Sequence, residues 1–134
     1  MKKYLYMILP VLLLAGCDKH REMDPEMLRS EQVGFKVKGK TIFTYEEGTG
    51  QLSYNEALKE FRAGNDDMST CFLVRCQKLP TEEKQEIKAD LKWKHGGAEQ
   101  SRSGLTLRVE KIGEDGLVWL WSSSEQIGAV VRSL

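Results

Sequence analysis

The feature that most constrains the fold of this chain is an alternation of apolar and polar residues with a period of two. The pattern runs through residues 35–38, 87–94 and 105–110, where each apolar side chain is followed by a charged or hydroxyl-bearing one. Successive side chains of a strand point to opposite faces, so the pattern indicates strands with one buried and one hydrated face. It therefore predicts an antiparallel sheet.

Turn signals separate these runs, among them Gly48-Thr49-Gly50, His95-Gly96-Gly97 and Ser122-Ser123-Ser124. Short strands between frequent turns are typical of a sandwich or a partly open barrel. Residues 33–134 are long enough for one such domain, which needs about 100 residues. We therefore predict a single all-β domain, an antiparallel β-sandwich or a partly open barrel, over residues 33–134.

The segment near residues 54–63 fits two structures. Ser53-Tyr54-Asn55-Glu56 has the form of a helix capping box, and Tyr54 shares one helical face with Phe61. The stretch over residues 59–64 also fits a strand that pairs, across a turn, with residues 70–77. One short helix near residues 54–63 is therefore an alternative to a strand.

The first sixteen residues have the layout of a secretory signal peptide. A short basic stretch precedes an apolar run over residues 4–14, and Ala15-Gly16 closes this run with small residues. A membrane-spanning helix needs roughly 20 apolar residues, whereas this run is shorter and contains Pro10. The pattern predicts a leader over residues 1–16 that is removed.

Leu14-Ala15-Gly16-Cys17 resembles the lipobox of bacterial lipoproteins at all four motif positions. The resemblance implies cleavage between Gly16 and Cys17 and acylation of the Cys17 thiol, so that Cys17 becomes the new N-terminus. One acyl chain binds a membrane only marginally, whereas the two or three chains implied here anchor a protein stably. An ordinary leader followed by a chance cysteine is the alternative.

The layout of leader, lipobox, charged segment and β-rich domain is similar to that of small envelope lipoproteins of Bacteroidetes. This resemblance implies a lipid-anchored location in the cell envelope, and we favour the outer membrane, at its periplasmic face or at the cell surface, over the inner membrane. Asp18 directly after Cys17 is similar to an enterobacterial inner-membrane retention signal. Charged residues after the cysteine are similar to a surface-export signal in Bacteroidetes-type lipoproteins.

The segment after Cys17 is rich in charge. Residues 18–32 hold eight charged residues in fifteen, together with Pro25. Such a composition buries too little apolar surface to offset the entropy of ordering the chain. We therefore predict that residues 17–32 form a flexible tether, which would span at most roughly 50 Å when extended.

The charge balance argues against a nucleic-acid partner. The chain has 20 basic and 20 acidic residues, and loss of Lys2 and Lys3 with the leader leaves 18 against 20. A nucleic-acid-binding protein needs a clustered basic surface to neutralise phosphates. The sequence contains no such cluster.

Cys71 and Cys76 lie in one predicted strand, "CFLVRC". Their Cα atoms would be about 17 Å apart, beyond the roughly 7 Å that a disulfide can bridge. Cys76 shares a strand face with Phe72 and Val74, so we predict a buried thiol at this position.

The sequence indicates no catalytic residue, metal ligand set or cofactor. His20 and His95 are far apart, and neither lies near Cys71 or Cys76 in the sequence. Asn65-Asp66-Asp67 is typical of a turn rather than of a calcium loop. The doublets Glu46-Glu47 and Glu82-Glu83 each point to opposite faces of a strand. A small envelope hydrolase, with carboxylates brought together from separate strands, is an alternative.

Trp119 and Trp121 share one face of the segment "LVWLW", and Val118 and Leu120 take the other. The strand is therefore either covered on both faces, which is the commoner outcome, or it exposes two aromatic rings. Exposed rings would suit stacking on sugars or docking a peptide. We predict a non-enzymatic binding or scaffolding module for an envelope protein or glycan, with Trp119 and Trp121 as the candidate ligand-binding residues of the glycan alternative.

Overall fold

The structure is a computed structural model that describes residues 21–133. In this range nine antiparallel strands form one sheet that curls into a half-barrel, and one short helix precedes the sheet. In chain order the elements are α1 (Pro25–Arg29), β1 (Gly34–Val37), β2 (Lys40–Thr44), β3 (Gly50–Asn55), β4 (Glu60–Asn65), β5 (Cys71–Cys76), β6 (Glu86–His95), β7 (Ala98–Ile112), β8 (Leu117–Ser122) and β9 (Ile127–Arg132).

The strand order across the sheet is β2-β1-β9-β8-β7-β6-β5-β4-β3. Strands β3 to β9 form an uninterrupted meander, and β1 joins it by pairing with β9. Strands β2 and β3 are the two edges. The all-β prediction is confirmed, and a partly open barrel is the architecture that the strands adopt.

Residues 54–63 belong to a β-hairpin and not to a helix. Tyr54 pairs with Phe61, and their rings lie 4.8 Å apart. The Asn55 side chain accepts a hydrogen bond from the Leu58 backbone N–H at 3.1 Å, and Lys59 adopts a φ of 54°, so the intervening residues form a turn. The helix alternative is wrong because Tyr54 and Phe61 pack on each other as cross-strand neighbours, while Leu58 lies exposed in the turn between them.

The core lies on the concave face of the half-barrel. Phe35 of β1 is fully buried, and its ring stacks on Phe72 of β5 with the centroids 4.9 Å apart. The ring of Trp93 on β6 lies 5.2 Å from the same phenylalanine. Strand β1 is separated from β6 by three strands and from β5 by four, so the sheet must curl for these side chains to meet. The alternating residues predicted to be buried on β6 are buried, namely Ile87, Ala89, Leu91 and Trp93.

Three β-bulges help the sheet to curl. Ile42 is an extra residue in β2, and Gly104 and Glu110 lie at register shifts in β7. A bulge bends its strand and increases the local twist. Gly104 has a φ of 65° and donates its N–H to the Asp90 carboxylate at 2.8 Å, so the bend in β7 is held at a defined position.

Residues 21–32, which we call the N-terminal strap, pack on the convex face of the sheet. Met23 and Met27 are 1% and 6% exposed. A Cβ atom built on Gly128 would lie 2.7 Å from the Met27 sulfur, so glycine leaves the room that the strap needs. The predicted tether therefore does not extend over residues 21–32, because two methionines bury apolar surface within a charged segment. The rest of the predicted tether, residues 17–20, lies outside the described range.

We expect Phe35→Ala to lower the free energy of unfolding by about 3–5 kcal/mol, because it leaves a cavity at the contact that joins β1 to β5 and β6. Urea denaturation would measure the loss. The matched control is Leu58→Ala, since Leu58 is 46% exposed and its truncation should change stability by less than about 0.5 kcal/mol. Equal effects of the two substitutions would contradict this assignment of the core.

Candidate functional site

The two tryptophans proposed as ligand-binding residues lie beneath the strap. Trp119 is 1% exposed, and its indole N–H donates to the carbonyl oxygens of Met27 at 2.9 Å and Ser30 at 3.1 Å. Trp121 is 9% exposed, and its indole N–H donates to the Arg21 carbonyl at 2.6 Å. Both polar groups of the rings are therefore engaged by the backbone of the strap.

This arrangement answers the question that the sequence left open for β8. All six residues of the strand are buried, because the concave core covers Val118 and Leu120 while the strap covers Trp119 and Trp121. Stacking on a sugar requires an exposed ring face. Neither ring is available for stacking on a sugar in this structure, so the glycan alternative that used these two rings is wrong. Both rings are part of the packed interior.

Further polar contacts hold the N-terminal half of the strap. The Arg21 backbone N–H donates to the Ser123 hydroxyl at 2.9 Å. The Asp24 carboxylate accepts from the Glu26 backbone N–H at 2.9 Å, as an N-cap of α1, and from Lys36 Nζ at 2.7 Å. The hydrogen bond from Lys36 is the main cause that lowers the pKa of Asp24, and the Glu26 N–H contributes next. The strap is thus part of the domain surface.

The sequence carries signals for this segment that its overall composition hides. Met23 and Met27 are four residues apart, which places them on one side of a helical turn. Asp24-Pro25 is a favourable pair for the N-cap and first position of a helix. These signals concern only five residues. The charged residues around them dominate the composition of the segment, so a prediction from composition does not detect the helical turn.

A groove of about 530 Å³ opens beside the start of the strap. Within it the Glu110 carboxylate lies 3.3 Å from Arg108 Nε. Burial raises the pKa of Glu110, although Arg108 opposes the shift. The hydrolase alternative needs free carboxylates that converge in a cleft. In this groove the partly buried carboxylate, that of Glu110, already pairs with Arg108. The groove is lined by Arg21, Glu22, Glu86, Thr106, Arg108, Glu110, Trp121, Ser123 and Ser124.

The two described cysteines are free thiols in different environments. Cys76 is buried beside Phe72 and Val74 on the concave face, as predicted, and burial raises its pKa to about 12. Cys71 begins β5 and is only partly buried. With its raised pKa, the Cys76 thiol is almost wholly protonated at neutral pH and is a poor nucleophile. Cys76 therefore has a packing role.

The remaining candidates do not form a catalytic or metal centre. Within residues 21–133 no group of three or more histidine, cysteine, aspartate or glutamate side chains lies close enough to hold a metal ion. Asn65 and Asp67 instead accept hydrogen bonds from the backbone N–H groups of Thr70 and Ser69, at 3.1 and 3.0 Å. The doublets Glu46-Glu47 and Glu82-Glu83 are exposed, whereas His95 contacts β2.

The predicted processing site, Gly16 and Cys17, lies outside the described residues, as does His20. In the part of the chain that is described, no helix is long and apolar enough to cross a membrane. Comparison of the chain with models of known protein families, with curated proteins and with solved structures finds no match.

We expect the ion pair between Asp24 and Lys36 to stabilise the strap at neutral pH. Because the folded-state pKa of Asp24 is lowered, this contribution is present above about pH 4 and is lost as the pH falls through the folded-state value. Asp24→Asn keeps an N-cap but removes the charge, and should weaken the strap by less than about 1 kcal/mol at pH 7, since both side chains are partly exposed.

Hydrogen exchange of the Trp119 indole N–H, corrected for the intrinsic rate at each pH, would measure this effect. The difference between Asp24→Asn and the unchanged protein should disappear at pH 2. A difference of the same size at both pH values would show that the ion pair is not its source.

The native protein should react with iodoacetamide at Cys71 much faster than at Cys76. With a pKa of about 12, Cys76 would be ionised in roughly one molecule in 10⁴ at pH 8, and its sulfur is also shielded. Mass spectrometry of timed samples would give both rates. After unfolding in urea the two rates should converge, and equal rates in the native protein would contradict the assigned burial.

Proposed function

We propose that this protein is a bacterial cell-envelope lipoprotein, in which acylated Cys17 holds a β-domain at a membrane and the domain serves as a binding or scaffolding module. The lipobox-like residues 14–17 and the leader before them support the anchor. The outer membrane is the favoured location. The module is proposed to be non-enzymatic, and no nucleic acid is expected among its partners.

The observation that carries the proposed placement of the domain is the attachment of Arg21. Its N–H and its carbonyl are both bonded to residues of the β8 end, Ser123 and Trp121. Only Asp18, Lys19 and His20 separate it from Cys17. Four residue steps span at most about 14 Å, far less than a free tether of fifteen residues. An acylated Cys17 would therefore hold the domain close to the lipid headgroups.

The same attachment defines which end of the domain would face the membrane. Ser123 lies in the turn between β8 and β9, and the Lys38 backbone N–H donates to the Gln126 carbonyl of that turn at 2.8 Å. We call the end formed by residues 38–39 and 122–126 the anchor end. The turn over residues 113–116 lies at the other end of β8. The anchor end would face the headgroups, and the opposite end would face away from them.

An envelope protein is the partner class that the sheet favours. Strand β3, "GQLSYN", is an edge of the sheet and contains no charged residue and no proline. Lysine, proline and other devices usually protect such edges, because an unpaired edge can accept a strand from another chain. The opposite edge strand, β2, begins with Lys40. We therefore propose β3 as the contact strand for a protein partner.

Two measurements on bacteria and on vesicles test the anchor. Labelled palmitate should be incorporated into the full chain and should be lost in Cys17→Ser. A fluorophore at the anchor end, in Ser124→Cys, should transfer energy to headgroup-labelled lipid more efficiently than one at the opposite end, in Glu114→Cys. Both positions are exposed, and Cys71→Ser would serve as the common background.

Palmitate label that persists in Cys17→Ser would overturn the proposed anchor. Equal transfer from positions 124 and 114 would overturn the proposed orientation but not the anchor. The unlabelled Cys71→Ser protein, with an unchanged unfolding midpoint, serves as the control for folding.

A further inference from the structure

A cleft of about 520 Å³ opens at the anchor end of the half-barrel, between the β1–β2 hairpin and the β6–β7 hairpin. Its size is in the range of sites for small organic ligands, and the mouth of a barrel is a common place for one. The lining combines four apolar residues, Val37, Ile42, Trp93 and Ala98, with four polar ones, Lys38, Lys40, His95 and Gln100.

The two walls of the cleft are fixed to each other. The bulge at Ile42 interrupts the pairing of β2 with β1, and the Ile42 carbonyl lies 3.2 Å from Nδ1 of His95 on β6. With the proton on Nδ1, His95 donates to this carbonyl. Beneath the hairpin, the tilted contact of the Phe35 ring on β1 with the Trp93 ring on β6 ties the hairpin to the same opposite wall. The cleft is therefore preformed, which lowers the entropy that a ligand must overcome.

The polar part of the lining is basic. Lys38 and Lys40 flank Gly39 in the β1–β2 turn and are exposed, and no carboxylate lines the cleft. Neither lysine forms an ion pair with any residue in the range 21–133, whereas Lys36 pairs with Asp24 and Lys92 with Glu99. Two unpaired ammonium groups at the rim of an apolar pocket provide a complementary site for an anion.

We propose that this cleft binds a small amphipathic anion, whose apolar body lies against Val37, Ile42 and Trp93 and whose carboxylate is held by Lys38 and Lys40. The apolar floor provides contact area, and the two lysines select the charge. Gln100 and His95 supply further polar contacts at the rim. This binding does not depend on acylation of Cys17, so the site and the anchor can fail independently.

The test compares two probes of the same shape and opposite charge, 3-phenylpropanoate and 3-phenylpropylammonium. Each would be titrated by calorimetry into the full chain held in phosphatidylcholine nanodiscs. The anion should bind the more tightly of the two. Binding of both probes with equal affinity, or no heat from the anion at millimolar concentration, would overturn the proposal.

A double substitution locates the site. Lys38→Asn with Lys40→Gln should weaken binding of 3-phenylpropanoate about fivefold or more, since each partly exposed charge pair contributes modestly. Asparagine suits position 38, because Lys38 has a φ of 51° and such turn positions favour asparagine. Loss of folding is therefore not expected to account for the effect.

The matched control is Lys78→Gln with Lys88→Gln, which makes the same change in net charge at exposed positions outside the cleft. It should leave the affinity for 3-phenylpropanoate within twofold of the unchanged protein. An equal loss in both double variants would show that the probe responds to net charge alone, and would overturn the site.

Discussion

The burial of Phe35 against Phe72 and Trp93 is the contact on which the rest of the structure depends. An open sheet of nine strands has two long faces, and only one face of most of these strands is apolar. By curling, the sheet covers its apolar face with itself, and the aromatic rings of β1, β5 and β6 fill the interior. The bulges at Ile42, Gly104 and Glu110 bend the strands so that this closure is possible.

Strand β8 is the exception to one-sided burial, and it requires a second cover. Trp119 and Trp121 point away from the interior, and each carries an N–H that would be costly to bury without an acceptor. The strap supplies apolar cover through Met23 and Met27 and supplies the acceptors through its backbone carbonyls. The charged N-terminal segment is thus ordered because the sheet offers it both an apolar surface and hydrogen-bond donors.

Much of the sheet could be predicted because each strand carries its own periodic pattern. Residues 87–94 and 105–110 alternate locally, so no distant contact was needed to identify them. The strap and the cleft could not be predicted in this way. The burial of Trp119 depends on residues about ninety positions earlier in the chain, and the cleft joins the turn at Lys38 to His95 through a bulge that leaves no clear signal in the sequence. In both cases the deciding partner is distant in the chain.

The hydrogen bonds at Arg21 also define how the domain would bear a mechanical load. A pull applied through Cys17 would reach the described part of the domain first at Arg21, where the hydrogen bonds to Ser123 and Trp121 resist it. Peeling residues 21–32 from the sheet would lengthen the connection by roughly 40 Å at about 3.3 Å per residue. It would also expose both indole rings. If Cys17 is acylated as proposed, tension on the chain would release the strap and let the domain move away from the membrane surface.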